Sequence, residues 1–269
     1  VDLIESFAMK IPIQIIGNLL DIPMNEREPL RNWSLAILGA LEPNLSEKEL
    51  DSGNTAVEEF KSYLKDLVKR RKKNPGNPET DVLTRLIYSE DNNDLSETEL
   101  LQNCIFILNA GHETTTNLIG NALFMLHSHP DQRELLTQNP GLINTAIEEV
   151  LRTQSPNQFG NRETTEPTEI AGINLDKNTN IHMCIGAANR DPDIFSCPND
   201  FDITRSNAKK HLGFAAGPHV CVGLTLARLE AKIAVQRFLE RFPHYKLTNE
   251  FQISPRIRFR GFISLPAEI

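Results

Sequence analysis

Apolar positions recur at three- and four-residue intervals over most of the chain, the spacing of one face of an α-helix. Val1 to Pro23 shows it first, with Pro12 predicted to break the helix and Pro23 to close it. A second helix is predicted over 25–41. A third is predicted over 52–73, where Val57, Phe60, Leu64 and Leu67 share a face, until "NPGNPE" ends it. A short helix follows over 81–89. Ser96 and Glu99 then form a capping pair, and the pattern predicts one helix to about His127, roughly 45 Å long. It is apolar on nearly every side through its first half, as expected of a buried spine. Helices over 129–139 and 141–154 come next, with Pro130 and Pro140 at the joints. The period then changes. Residues 163–185 alternate and carry turn residues at Gly172 and Asn178, which predicts a small β region. Residues 189–211 are rich in Asp, Asn and Pro and read as a long ordered loop. A helix from Cys221 to about Arg241 and a hairpin over 251–266 complete a fold that is mainly α with small β-sheets.

Composition narrows the function classes. With 39% hydrophobic and 24% charged residues in 269, the chain is ordinary for a globular protein. A net charge of −8 gives it no overall affinity for nucleic acid or anionic lipid, and the basic run Lys69–Lys73 suits the C-terminal end of a helix. No apolar run reaches the roughly 18 residues of a membrane span, and no secretory leader is visible. Cys104, Cys184, Cys197 and Cys221 form no CxxC pair and no disulfide framework, so a reducing, cytoplasmic compartment is expected. Val1 already lies inside an apolar pattern, which points to a fragment or a processed start.

Four places carry candidate chemistry. Cys221 lies where a glycine-rich loop becomes a helix, and a helix N-terminus stabilises a thiolate, a nucleophile or metal ligand. Gly217 and Gly223 would let backbone approach a flat group. Read alone, Cys221 is equally a small buried apolar residue. On the long helix, "AGHETTTN" puts Glu113 and Thr114 beside the small Ala110 and Gly111. This is either an acid and alcohol facing a groove or a solvated face whose hydroxyls bond back to i−4 carbonyls. His112 lacks the second histidine of a zinc HExxH helix. Glu149 and Arg152 stand three apart, the spacing of a surface ion pair. Arg162 and His219 are loop cations able to meet an anion. No GxGxxG follows a strand, so no nicotinamide or flavin site is indicated.

In order and spacing, these elements resemble the cytochrome P450 family. "FAAGPHVCVG" matches its heme-ligand signature FxxGxHxCxG through Phe214, Gly217, His219, Cys221 and Gly223. "AGHETT" resembles its oxygen-activation motif. "EEVLR" matches its ExxR motif, "PNDFDITR" resembles the element that supplies the third member, Arg205, and "AANRDP" is similar to soluble bacterial members. The resemblance implies a cytochrome P450 fold, its C-terminal two thirds, with the long central helix at about 97–127. One partial domain would span 1–269: a helical core 1–155, a β region and meander loop 156–210, and the heme-ligand loop, following helix and hairpin 211–269.

The resemblance further implies heme, with Cys221 as axial iron ligand. Phe214, Gly217 and Gly223 would lie around the ligand, and His219 and Arg162 would pair with the propionates. Ala110 and Gly111 would leave the gap for O2, and Glu113 and Thr114 would deliver protons. Glu149, Arg152 and Arg205 would form a structural network. Leu108, Ala110 and residues 157–160 would face the heme. The implied activity is monooxygenation of an apolar small molecule with O2, using a ferredoxin- or flavodoxin-type electron donor, with no nucleic acid and no membrane partner. Three departures stand out. Ala215 and Asn178 occupy positions often held by glycine, and the family's N-terminal third has no counterpart here. The last predicts a loosely held heme and impaired activity, or, as the alternative, a P450-like non-catalytic scaffold or auxiliary protein that binds heme weakly or not at all. A cysteine hydrolase using Cys221 with His219 is disfavoured, because an i, i−2 pair in a tight turn does not aim imidazole at the sulfur.

Overall fold

The computed structural model describes residues 1–92 and 94–269. The chain divides into two compact units, Val1–Thr116 and Asn117–Ile269.

In the first unit, a single π-turn over Ile4–Ala8 leads into α1 (Lys10–Leu19). Pro12, predicted to break this helix, instead sits in its first turn, where a backbone N–H has no intrahelical acceptor and its loss costs nothing. Next come α2 (Leu30–Gly39), α3 (Glu47–Lys73) and α4 (Val82–Asp91). The third helix begins one and a half turns earlier than its apolar stripe predicts. Ser46 and Glu49 close a capping box there, the Ser46 hydroxyl accepting from the Glu49 N–H at 3.3 Å. The basic run, as expected, forms its last turn. The core joins Ile16, Leu20, Leu30, Phe60, Leu64, Leu67, Leu83 and Leu100, with Trp33 stacked on Phe60 at 5.0 Å.

Helix α5 (Glu97–Ser128) carries the predicted cap: Ser96 and Glu99 exchange bonds of 2.8 and 3.2 Å. Its first half, however, is buried on one side only: Leu100, Leu101, Cys104 and Leu108 face the core, while Phe106 is 60% exposed. The stretch buried on nearly every side comes later, over 115–123.

In the second unit, α6 (Pro130–Gln138) starts on its predicted proline, and a 3-10 turn over Pro140–Leu142 leads from the other into α7 (Ile143–Thr153). Strands β1 (Phe159–Glu163), β2 (Thr168–Ile170), β3 (Ile173–Leu175) and β4 (Asn180–Cys184) form two antiparallel ribbons, β1 with β4 and β2 with β3. Ala171 and Gly172 turn the inner ribbon with φ of 50° and 79°, and Asn178 supports the outer one at 65°. Asparagine tolerates that region. A short helix, α8 (Ile185–Ala188), has no sequence signal. The predicted loop follows it, then α9 (Leu224–Arg241). In the terminal segment β5 (Lys246–Leu247) pairs with β8 (Ala267–Glu268), which the pattern did not reveal. Strands β6 (Gln252–Ile253) and β7 (Phe262–Ser264) make the expected hairpin. Tyr245 ties this segment down: it is fully buried, and its hydroxyl donates to the Leu123 carbonyl at 2.6 Å.

Candidate functional site

Glu149 and Arg152 form no surface pair. Both side chains are 0% exposed, joined by two hydrogen bonds of 2.7 and 2.8 Å. Arg205 donates to the same carboxylate at 3.1 Å, and so does the Asp202 N–H. The reason lies in the loop. Many of its residues are exposed, but carbonyls that turn inward from an irregular segment have no strand or helix partner, and each needs a donor. Arg152 donates to the carbonyls of Asn189, Pro198 and Asp200 at 2.7–3.1 Å. Arg205 donates to those of Ser196, Cys197 and Asp200 at 2.7–3.3 Å. Arg152 also lies 5.1 Å over the Phe195 ring. Two guanidinium forks and one carboxylate thereby hold 189–205 in a single shape.

That loop delivers the chain to Cys221. The Asn189 Oδ1 accepts from the Leu212 N–H at 2.7 Å, and the cysteine loop begins there. Ala215 is held at φ 58° and Gly217 at 72°. Gly217–His219 form one 3-10 turn. Cys221 falls two residues before the helix cap Gly223, so its side chain is not the cap. Its N–H donates to the Phe214 carbonyl at 2.9 Å, and the thiol is free and half-buried. Val222 beside it is 93% exposed. Gly223 has an ordinary φ of −86°, and an added Cβ would meet only the Cys221 Sγ, at 3.9 Å. Neither backbone nor packing within the chain requires glycine there.

His219 and Arg162 are both exposed, and neither forms an ion pair among the described residues. Arg162 lies on β1 and donates to the Asn161 carbonyl at 2.7 Å. No hydrogen bond joins His219 to Cys221, so the hydrolase pairing is not formed. A free thiol, an exposed apolar side chain, a glycine without an internal reason, and an arginine and a histidine without ion partners among the described residues suit a flat apolar macrocycle that bears carboxylates. These residues fit heme.

In the first unit, Glu113 is buried and Thr114 is half-buried on α5. Thr114 Oγ1 donates to the Ala110 carbonyl at 2.6 Å, the back-bonded arrangement of a helical threonine. Ala110 is exposed, whereas the missing Cβ of Gly111 makes room for Ile16, whose Cδ1 would lie 3.1 Å from it. Leu108, expected beside Ala110, is in the core: two residues turn a helix by about 200°, so the two cannot share a face. His112 is taken up by the helical core. Its Nδ1 meets the Ser34 hydroxyl at 3.0 Å, burial and then Arg31 push its pKa down to about 4, and no group of metal-binding side chains exists among the described residues.

Sequence reasoning missed Glu148, His211 and Arg228. Glu148 is buried next to Glu149, receives Arg228 through 2.6 and 2.9 Å bonds, and faces His211 Nε2 at 3.1 Å. Burial alone would raise its pKa, but the bonds from His211 and Arg228 outweigh it and hold the carboxyl down at about 2. Adjacent acids on a helix gave no signal that each serves a different partner.

A long helix, a buried Glu–Arg–Arg clamp over an irregular loop, and a cysteine loop ahead of a helix together define one class. The chain belongs to the cytochrome P450 family: the Cytochrome P450 family model matches residues 41–266. Heme iron is the cofactor of that family. The chain is 38% identical over 266 residues to the biotin biosynthesis cytochrome P450 of Bacillus subtilis, covering 98% of this chain and 66% of that protein. It is 36% identical over 249 residues to the 6-deoxyerythronolide B hydroxylase of Saccharopolyspora erythraea, covering 92% and 59%. A crystal structure of P450BioI in complex with hexadec-9Z-enoic acid ligated acyl carrier protein superposes with TM-score 0.95 at 38% identity, covering all of this chain and 69% of that one. The chain thus spans about two thirds of the length of the curated relatives it matches. Among the described residues no helix is long and apolar enough to cross a membrane.

Proposed function

We propose that this chain is the part of a cytoplasmic heme-thiolate monooxygenase that carries the cysteine which would hold the heme iron. It would act as one partial domain over residues 1–269, and the whole protein would hydroxylate an apolar small molecule with O2. The observation that carries the reading is the cysteine loop, with a free thiol beside a 93% exposed valine and held by a loop that two buried arginines lock. Membership of the family and relatives named for 6-deoxyerythronolide B hydroxylation and for a fatty acyl complex support an apolar carbon skeleton as substrate.

Heme bound through a thiolate supplies the electron donation to iron that favours O–O cleavage. The chain's own residues have these tasks. Cys221 would bind the iron as a thiolate, its backbone tethered to Phe214. Arg162 and His219 would pair with propionates, and Gly217 and Gly223 would keep backbone and side chains clear of the macrocycle. Ala110 and Gly111 would be the small residues of the oxygen groove. Glu113 and Thr114 would hold and pass protons, Thr114 giving up its bond to the Ala110 carbonyl as it does so. Electrons would arrive from a ferredoxin- or flavodoxin-type protein.

The deciding experiment is the spectrum of the heme-loaded, reduced protein under carbon monoxide. The red-shifted Soret band of a thiolate ligand is expected, and Cys221→Ser should abolish it with helix content retained. A band that survives the substitution assigns the ligand elsewhere. Thr114→Ala should divert electrons from product to peroxide, and unchanged coupling would remove Thr114 from proton delivery.

A further inference from the structure

The cysteine loop has a second anchor beside the Glu149 network. Glu148, the preceding residue on α7, uses both oxygens: Arg228 of α9 donates Nε and Nη2, and His211 faces it through Nε2. Since His211 Nδ1 accepts from the Gly213 N–H at 3.0 Å, its proton sits on Nε2 and points to the carboxylate. The two partners then converge on one ring. Arg228 stacks 4.6 Å over the ring of Phe214, and the His211 ring lies 5.8 Å from it. The Phe214 carbonyl in turn accepts the Cys221 N–H. The path from Glu148 to the cysteine backbone therefore consists of direct contacts, all within the second unit.

We infer that Glu148, Arg228 and His211 are positioning residues for Cys221. They clamp Phe214 so that the backbone N–H of the cysteine is aimed and the thiol is presented in one orientation. The adjacent glutamates of α7 divide the work: Glu149 fixes the loop that leads to the cysteine, and Glu148 fixes the cysteine loop itself. Three features favour this over general stabilisation. Arg228 is part-exposed, so its bidentate geometry serves the Phe214 stack as much as burial. His211 spends one nitrogen on the loop backbone. And the loop has little other support, with Ala215, Ala216, Gly217, Pro218 and His219 all exposed. The inference rests on the proposed role of Cys221 only for its consequence in catalysis; the clamp itself is a property of the chain.

The test uses Glu148→Gln, which keeps volume and removes the charge, and Arg228→Lys, which keeps charge and removes the planar stack. Hydrogen exchange is followed over the whole chain. Exchange at the Gly213, Ala215 and Cys221 amides is expected to quicken about tenfold in both variants, the loss of one charge-assisted contact, with the buried turns of α9 and the β1–β4 ribbon unchanged. Loop exchange equal to wild type, or a uniform rise through the unit, overturns the inference, the second because it signals lost stability rather than lost aim. In the heme-loaded variants part of the carbon monoxide band should move from the thiolate to the thiol position, with the Glu149 network intact. If wild-type protein shows no thiolate band, the ligand assignment fails, while the exchange result still decides the clamp.

Discussion

At the scale of single residues, Ala215 stands out: a left-handed φ of 58° burdens an L side chain with about 1–2 kcal/mol that glycine escapes. Ala215→Gly should therefore stabilise the protein by about 0.5–1 kcal/mol after the extra freedom of the unfolded glycine is deducted. Thermal unfolding checks this, and an unchanged or lower midpoint would show that the loop relaxes around alanine. Glu230 of α9 makes a pH-dependent prediction. It is buried, its Oε2 has no hydrogen-bond partner among the described residues, and burial raises its pKa to about 7. The unfolded carboxyl releases its proton near pH 4.5, the folded one only near 7, so stability falls as pH rises across that window. Glu230→Gln should thus raise the unfolding temperature at pH 8 and leave it unchanged at pH 4; a gain at both would point to packing instead of charge. Residue identity disclosed some of this in advance. Asn178 was legible as a left-handed turn because few side chains accept that region. The burial of Glu230 was not legible, since a glutamate in "ARLEA" reads as a solvated helical position.

At the scale of elements, α7 is the organiser. Its neighbouring acids point to different partners, and Arg152 spends its donors on the 189–205 loop. Arg152→Leu would leave the buried Glu149 carboxylate to Arg205 and the Asp202 N–H, and would take one donor from each of the Asn189, Pro198 and Asp200 carbonyls. The expected loss is about 3–5 kcal/mol, read as a lower midpoint in urea unfolding. A loss under about 1 kcal/mol would mean that water replaces the guanidinium. Helix ends were legible where capping chemistry is local, as at Ser96. The start of α3 at Glu47 was masked because its first turns carry no apolar stripe. Pro12 misled because proline is forbidden inside a helix but tolerated in its first turn. Strands β5 and β8 escaped notice because two-residue pairings depend on partners about twenty residues apart.

For the whole molecule, the division into Val1–Thr116 and Asn117–Ile269 sets what each part holds: the cysteine loop and both of its glutamate anchors lie in the second unit. By itself the sequence determined the helical class, the long helix, the loop and turn positions and the motif residues. Each of these follows from local propensity, apolar period or a short spacing that leaves a mark on neighbouring positions. Only the tertiary structure decided that Glu149 and Arg152 are a buried clamp, that Leu108 and Ala110 face apart, that Gly111 makes room for Ile16, and that Glu148, His211 and Arg228 converge on Phe214. Burial and side-chain partnership join residues tens of positions apart, and no period along the chain records which distant group takes a carboxylate's second oxygen.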